Sequence, residues 1–290
     1  MDPDPKRIAH IPDHGGLDLE EVIRYARQKG IGVILYVNRR ELERRMDELF
    51  PLYRKWGVAG VKFGFVNVQG QQWAAWLAGA VKKAAAHQLM VDVHDSYRPS
   101  GLTRTYPNLM TVEGVRGNEH MPAASHNATL PFTRAVAGAL DYTICWMTDR
   151  LKTTWGHQLA QLVVHYSPWQ FVFWYDRPEQ ITDSPGLEFI AAVPVTWDET
   201  RVLAGAIGTH AVVARRKGRE WFLGAITNEQ PRTVEIRLGM LEPFARYTLK
   251  TWCDGGGMRD IVTDSREVKE GETVQLRLAP SGGCAARIAP

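Results

Sequence analysis

From residue 17 to about 95 the chain alternates helical and strand signals, and this alternation limits the possible folds more than any other feature. Asp18 with Glu21 reads as an N-cap and N3 pair, Leu19, Val22, Ile23 and Ala26 form a helical stripe, and Gly30 ends it. IGVILYVN (31–38) is a continuous β-rich apolar run, followed by an amphipathic helix through RELERRMDELFPLYRKWG and a second run, GVKFGFVN (60–67). QQWAAWLAGAVKKAAAHQ is a third helix with Trp73, Trp76, Leu77, Ala80, Val81 and Ala84 on one face, which makes the two tryptophans core residues, and it leads into LMVDVH (89–94). Strands apolar on both faces and separated by helices predict a parallel sheet.

Polar residues cluster where these strands end, at Asn38, Asn67, His94 and Asp95, which suits a (β/α) barrel whose site is built from strand C-termini. A doubly wound sheet alternates in the same way, but no G-x-G-x-x-G or G-x-x-x-x-G-K-[ST] phosphate loop follows any strand. Roughly six strand candidates occur before residue 197, against about eight in a closed barrel. The expected fold is therefore a (β/α)8 TIM-type barrel, N-terminally incomplete, over residues 1–196. After it, HAVVARRKGREWFLGAIT reads as a hairpin, and RTVEIRLGML, YTLKTW, TVQLRLA and CAARIA as short strands, giving a small all-β C-terminal domain over 197–290.

Composition excludes several classes. With 44% hydrophobic and 23% charged residues the chain has the means to bury a core and does not read as disordered. The net charge is +3, but Lys and Arg are interleaved with Asp and Glu, so no basic stripe for nucleic acid forms. The one cluster, Arg215, Arg216, Lys217 and Arg219, is expected at a solvated hairpin tip. Cys145, Cys253 and Cys284 are odd in number and widely spaced, which predicts buried free thiols without disulfide or zinc site. No run of about 18 apolar residues suggests a membrane span. The first residues, MDPDPKRIAHIPDHGG, lack the apolar run of a signal peptide, so the chain as written is expected in the cytoplasm.

The densest polar stretch after a buried strand is DVHDSYRPSGLTRTYPNLMTVEGVRGNEH (92–120), which places Asp92, Asp95, Glu113 and Glu119 among His94, Arg98, Arg104, Arg116 and His120. Gly101, Gly114 and Gly117 allow tight backbone paths between them. Paired carboxyls at strand ends are what general acid and base chemistry requires. Taken alone, each acid reads rather as a surface residue or half of a salt bridge, because charged residues are common and most are solvated.

The strings VKFGFVN, HDSYRPSGLTRTYPNL, EGVRGNE, LPFTRAVAGALDYT, YSPWQF, VPVTWDETRVL and VVARRKGREWFLGAITN make the chain resemble, in order, the C-terminal half of glycoside hydrolase family 97. The resemblance implies a barrel between an N-terminal β-sandwich and a small C-terminal β domain. It implies α-glycosidic bond cleavage of α-linked oligosaccharides with Ca2+ assistance. Glu119 matches the general acid and Glu113 a calcium ligand. Asp95 matches the position where inverting members place a base glutamate that also approaches the metal, so the implied metal set is Glu113, Glu119 and Asp95.

Gly64 matches the position where retaining members carry their nucleophilic aspartate, which points to inversion. Asp95 is one methylene shorter than the family glutamate, and Asn38 stands where inverting members place a second base glutamate. Lys62, His94, Arg98, Arg104 and Asp141 fall in matching segments and are expected to line the sugar cleft. The leading expectation is an inverting α-glucosidase-like hydrolase, with an α-galactosidase or a catalytically silent carbohydrate-binding fragment as alternatives. Family members are usually periplasmic or secreted. An incomplete barrel exposes strand edges and apolar faces, so self-association or pairing with a missing N-terminal half is expected. Asn127-Ala128-Thr129 fits a glycosylation sequon and carries no weight here.

Overall fold

The computed structural model describes residues 17–67, 70–144, 148–173, 177, 179 and 183–290. They fall into two compact units that divide between Val112 and Glu113.

In the first unit, α1 (Leu19–Gln28) begins as predicted: the Asp18 carboxylate accepts the Glu21 backbone N–H at 3.1 Å, and Leu19 and Ile23 are buried. There follow β1 (Ile34–Asn38), α2 (Arg39–Trp56), β2 (Gly60–Gly64), α3 (Gln71–Ala86), β3 (Met90–Val93) and β4 (Leu109–Val112). The strands pair in parallel in the order β1-β2-β3-β4. The register sets Tyr36 beside Lys62 and Lys62 beside Asp92 on one face, and Val37, Phe63 and Val93 on the other. The second face packs into a core with Leu42, Leu49, Phe50, Tyr53, Leu77 and Val81 of the helices. On α3 the predicted stripe is buried at Leu77, Ala80, Val81 and Ala84. Trp76 packs against this core, and the Arg39 guanidinium lies 4.5 Å over the half-buried Trp73 ring.

Among the described residues this sheet has four strands, against about eight in a closed barrel. In the second unit a further parallel pairing occurs as an isolated bridge between Ile144 and Val172. Among the described residues no helix is long and apolar enough to cross a membrane.

The second unit carries α4 (Ala124–Thr129), α5 (Trp155–Val164) and α6 (Gly186–Ala192). Eight strands come after them or border them: β5 (Glu199–Ala206), β6 (His210–Lys217), β7 (Glu220–Thr227), β8 (Arg232–Arg237), β9 (Arg246–Asp254), β10 (Ile261–Lys269), β11 (Thr273–Leu278) and β12 (Gly283–Ala289). Six form an antiparallel sheet in the order β10-β9-β12-β7-β6-β5, and β11 pairs with β8. The strict alternation of β8 and β11 turns Val234, Ile236, Val274, Leu276 and Leu278 into one core with Leu223, Leu249 and Ile288 of the larger sheet. The predicted hairpin is β6–β7, with Lys217 opposite Glu220 across Gly218, at φ 58°, and Arg219.

The opposite face of the sheet receives α5, in which every residue from Gly156 to Val164 is buried. Approach is so close that a Cβ on Gly224 would stand 2.4 Å from the Ala160 carbonyl oxygen. Thr154 caps the helix, accepting the His157 N–H at 3.1 Å, while its own hydroxyl donates to Asp254.

Two expectations are corrected here. Arg215 is not at a solvated tip: it is 9% exposed and donates from Nε to the Val163 carbonyl at 2.6 Å and from Nη1 to Thr200 Oγ1 at 2.8 Å. Strand alternation turns it toward the C-terminus of α5, where unpaired carbonyls attract a cation. Cys253 and Cys284 form a disulfide rather than free thiols, because the antiparallel register of β9 and β12 sets them directly opposite, with Cα atoms 4.0 Å apart. Cys145 lies outside the described residues, as do the first 16 residues.

Candidate active site

Each unit gathers part of the predicted set. In the first, Lys62 and Asp92 occupy adjacent strands and form an ion pair at 3.2 Å, with side chains 12% and 0% exposed. Burial of this kind is tolerated because each charge has the other as its partner. Asp92 and His94 offer ligand atoms within 4.8 Å of each other. His94 extends the β2–β3 ladder, its N–H donating to the Phe63 carbonyl at 2.9 Å. Asp95, directly after it, has φ 72°, a left-handed backbone uncommon for a side-chain-bearing residue and a conformation that clusters at functional sites.

Asn38 has structural work of its own: its Oδ1 accepts the Arg40 N–H at 2.9 Å and caps α2. Gly64 ends β2, and a Cβ built there would lie 2.1 Å from both Cζ and Oη of Tyr36. Arg98 and Arg104 are exposed in the segment after β3, Arg104 ending the short 3-10 turn Leu102–Arg104.

In the second unit Glu113 is 3% exposed and is followed by Gly114 at φ 47°. Glu119 lies on the 3-10 turn Asn118–His120, and the two glutamates present carboxylate oxygens within 4.8 Å of each other. The His120 ring nitrogen is 3.4 Å from the Glu119 carboxylate. Gly117 is required by a close approach, since its Cβ would stand 2.8 Å from the Tyr142 carbonyl oxygen. Asp141 is buried, and accepts the Thr143 hydroxyl at 3.2 Å.

A network that sequence reasoning did not identify holds the Glu119 turn. Asn118 donates its backbone N–H to the Tyr142 carbonyl at 2.9 Å and its side-chain amide to Gln158 Oε1 at 2.8 Å, and Gln158 in turn donates to Thr153 Oγ1 at 2.7 Å. Alongside it, Asn127 accepts from the Tyr142 hydroxyl and meets His157 Nε2 at 3.1 Å, while His157 Nδ1 meets the Gly282 carbonyl at 3.1 Å. Burial pulls the pKa of His157 down to about 4 and that of His165 to about 3, so both are neutral near pH 7. Asn127 is fully buried in this network. The available signal was a helix, TWGHQLAQLVVH, with polar residues at helical spacing inside an otherwise apolar run.

Two carboxylates at this separation suit a hard cation, which takes oxygen ligands, although Ca2+ requires six to eight of them from all sources. Glu113 and Glu119 would supply two.

Residues 6–115 match the sequence model described as glycoside hydrolase 97, and residues 196–289 match glycosyl-hydrolase 97 C-terminal, oligomerisation. A curated relative from Bacteroides thetaiotaomicron, named retaining alpha-galactosidase, is 33% identical over 94% of this chain and 44% of its own length. The chain thus spans less than half the length of the curated relatives it matches. A family 97 enzyme from Pseudoalteromonas sp. strain K8, solved in complex with acarbose, superposes with TM-score 0.88 at 31% identity, over 95% of this chain and 49% of that one. A beta-arabinopyranosidase superposes with TM-score 0.81 at 26% identity, over 93% and 48%.

Proposed function

The chain belongs to glycoside hydrolase family 97, and from that membership we propose that it serves the hydrolysis of an α-glycosidic bond with inversion, acting on α-linked gluco-oligosaccharides. In this reading the four parallel strands are part of a (β/α)8 barrel, residues 1–196 form the barrel region and 197–290 the β domain. Glu119 protonates the departing glycosidic oxygen, and Asp95 takes a proton from the water that attacks the anomeric carbon from the opposite face. Lys62, His94, Arg98, Arg104 and Asp141 contribute to holding the sugar, and the buried network behind Asn118 keeps the acid from drifting.

Glu113, Asp95 and Glu119 would hold a calcium ion, whose positive charge would keep Glu113 and Asp95 ionised while Glu119 is the group that carries the proton for the leaving oxygen. The C-terminal domain matches a model described by its role in oligomerisation, which supports self-association of this chain.

The observation that carries the reading is at Gly64. Double displacement needs a carboxylate on the attacking face, and by the resemblance this is its position. Here the residue has no side chain, and the space a side chain would need contains the Tyr36 phenol. The curated relative named above is a retaining enzyme, so the stereochemistry tests the reading directly. Proton NMR of the first product formed from 4-nitrophenyl α-glucoside should show the β-anomer before mutarotation. An initial α-anomer contradicts it. The relative's name also favours an α-galactoside as a second reading, separated by the ratio of rates on the two aryl glycosides. Folded protein that turns over neither sugar would support the binding-fragment alternative.

A further inference from the structure

The phenol that fills the space over Gly64 has no part of its own in the reaction proposed above. Tyr36 lies on β1, on the same face as Lys62 and Asp92, and 52% of it is exposed. Its ring meets His94 edge-on at 6.3 Å and Phe65 edge-on at 6.4 Å. Phe65, directly after Gly64, is itself 53% exposed and sits at φ 59°, a strained backbone for an aromatic residue. Two hydrogen bonds hold its carbonyl: Arg39 Nε donates to it at 3.2 Å, and the Asn67 N–H donates to the same oxygen at 2.9 Å. Asn67 is held in turn by the Ser96 hydroxyl at 3.0 Å. Two large aromatic rings are thereby kept half in solvent, at the strand ends that carry His94 and Asp95, against the tendency of such rings to bury.

We propose that Tyr36 is a substrate-contacting, specificity-determining residue, its ring meeting the apolar face of a pyranose and its hydroxyl bonding a sugar hydroxyl, and that Gly64 is glycine because only glycine leaves the phenol room. The proposal rests on the reading of the site as a glycoside hydrolase, and deepens it. It also limits the chemistry. With Oη in the room over Gly64, a carboxylate or a water could take that position only by displacing the phenol, which favours an attacking water on the Asp95 side. Tyrosine suits the task, since it offers an apolar ring and a polar tip with only two side-chain torsions to immobilise.

The test is a double-mutant cycle read by calorimetric binding of non-hydrolysable 4-nitrophenyl 1-thio-α-glucoside and 1-thio-α-galactoside. Tyr36→Phe keeps the ring and should weaken binding of the preferred sugar about tenfold, the worth of one hydrogen bond. Tyr36→Ala should weaken it further. Gly64→Ala, which pushes the ring aside, should bind as poorly as Tyr36→Ala, and the double variant no worse than Tyr36→Ala alone. Tyr36→Phe within twofold of the natural protein, or additive effects of the two alanines, would overturn the proposal. If the natural chain binds neither sugar, the functional reading falls together with it. If binding follows the cycle but Glu119→Gln still hydrolyses aryl glycosides, the acid assignment fails and this proposal stands.

Discussion

Lowering the pH from 7 to 5 should remove about 4 kcal/mol of stability from the unit that carries Glu119. His157 and His165 are completely buried, with pKa values of about 4 and about 3, set chiefly by burial. Both titrate near 6.5 once unfolded. Because the folded values are depressed, the unfolded chain binds the additional protons, so the stabilisation is complete above 6.5 and is lost as pH falls toward the folded values. Each histidine contributes about 1.4 kcal/mol per pH unit inside that window, or about 2 kcal/mol between pH 7 and 5. The total is a large fraction of the 5–15 kcal/mol typical of a domain. Asp254 acts in the opposite sense: burial raises its folded pKa, so its contribution is regained as pH falls. Glu199, Glu229 and Glu272, whose pKa values are lowered, lose their partners only below the range tested.

The assay is urea denaturation followed by far-UV circular dichroism at both pH values, for the natural chain and for His157→Gln with His165→Gln. The double variant should be less stable at pH 7, but its pH slope should shrink. A natural chain equally stable at pH 5 and 7, or a slope unchanged in the variant, would refute the assignment of these histidines as the acid-labile groups.

Gly224→Ala should lower stability by about 1–3 kcal/mol, since the new Cβ would meet the Ala160 carbonyl at 2.4 Å and both partners are fixed in packed elements; a midpoint unchanged within 0.5 kcal/mol, as a rough threshold, counts against that packing. Arg215→Leu should cost about 2 kcal/mol or more, because it strips charged donors from Val163 and Thr200 and leaves a helix-end carbonyl buried. Rescue of that loss by Arg215→Lys would show that charge alone, rather than the forked geometry, is what α5 requires.

The parallel part of the fold was legible because its cues are local. Asp18 and Glu21 mark a helix start, and 31–38 and 60–67 are apolar runs that a helix separates, so neighbouring residues suffice to read them. The disulfide was illegible for the converse reason. Cys253 and Cys284 are 31 residues apart, and only the β9–β12 register brings them opposite. Arg215 was misread because a charged cluster beside a turn gives no sign that a buried helix ends against it. At the site, Glu113, Glu119, Asp95 and His94 stood out as acids and bases near strand ends. Gln158, Asn127 and His157 did not, because the contacts that join them into one network span 40 residues from Asn118 to Gln158, 30 from Asn127 to His157 and 125 from His157 to Gly282. Tyr36 reads in sequence as one more strand aromatic, and its role appears only when the space over Gly64 is measured.

The assignment of Glu119 as the acid is tested most directly by turnover of 4-nitrophenyl α-glucoside and α-galactoside by the purified chain and by Glu119→Gln, with calcium and with chelator. Calcium-dependent release of nitrophenol from one of the two sugars is expected, falling at least about a hundredfold in Glu119→Gln, the lower end of what a general acid contributes. Turnover by Glu119→Gln equal to that of the natural chain would contradict the assignment.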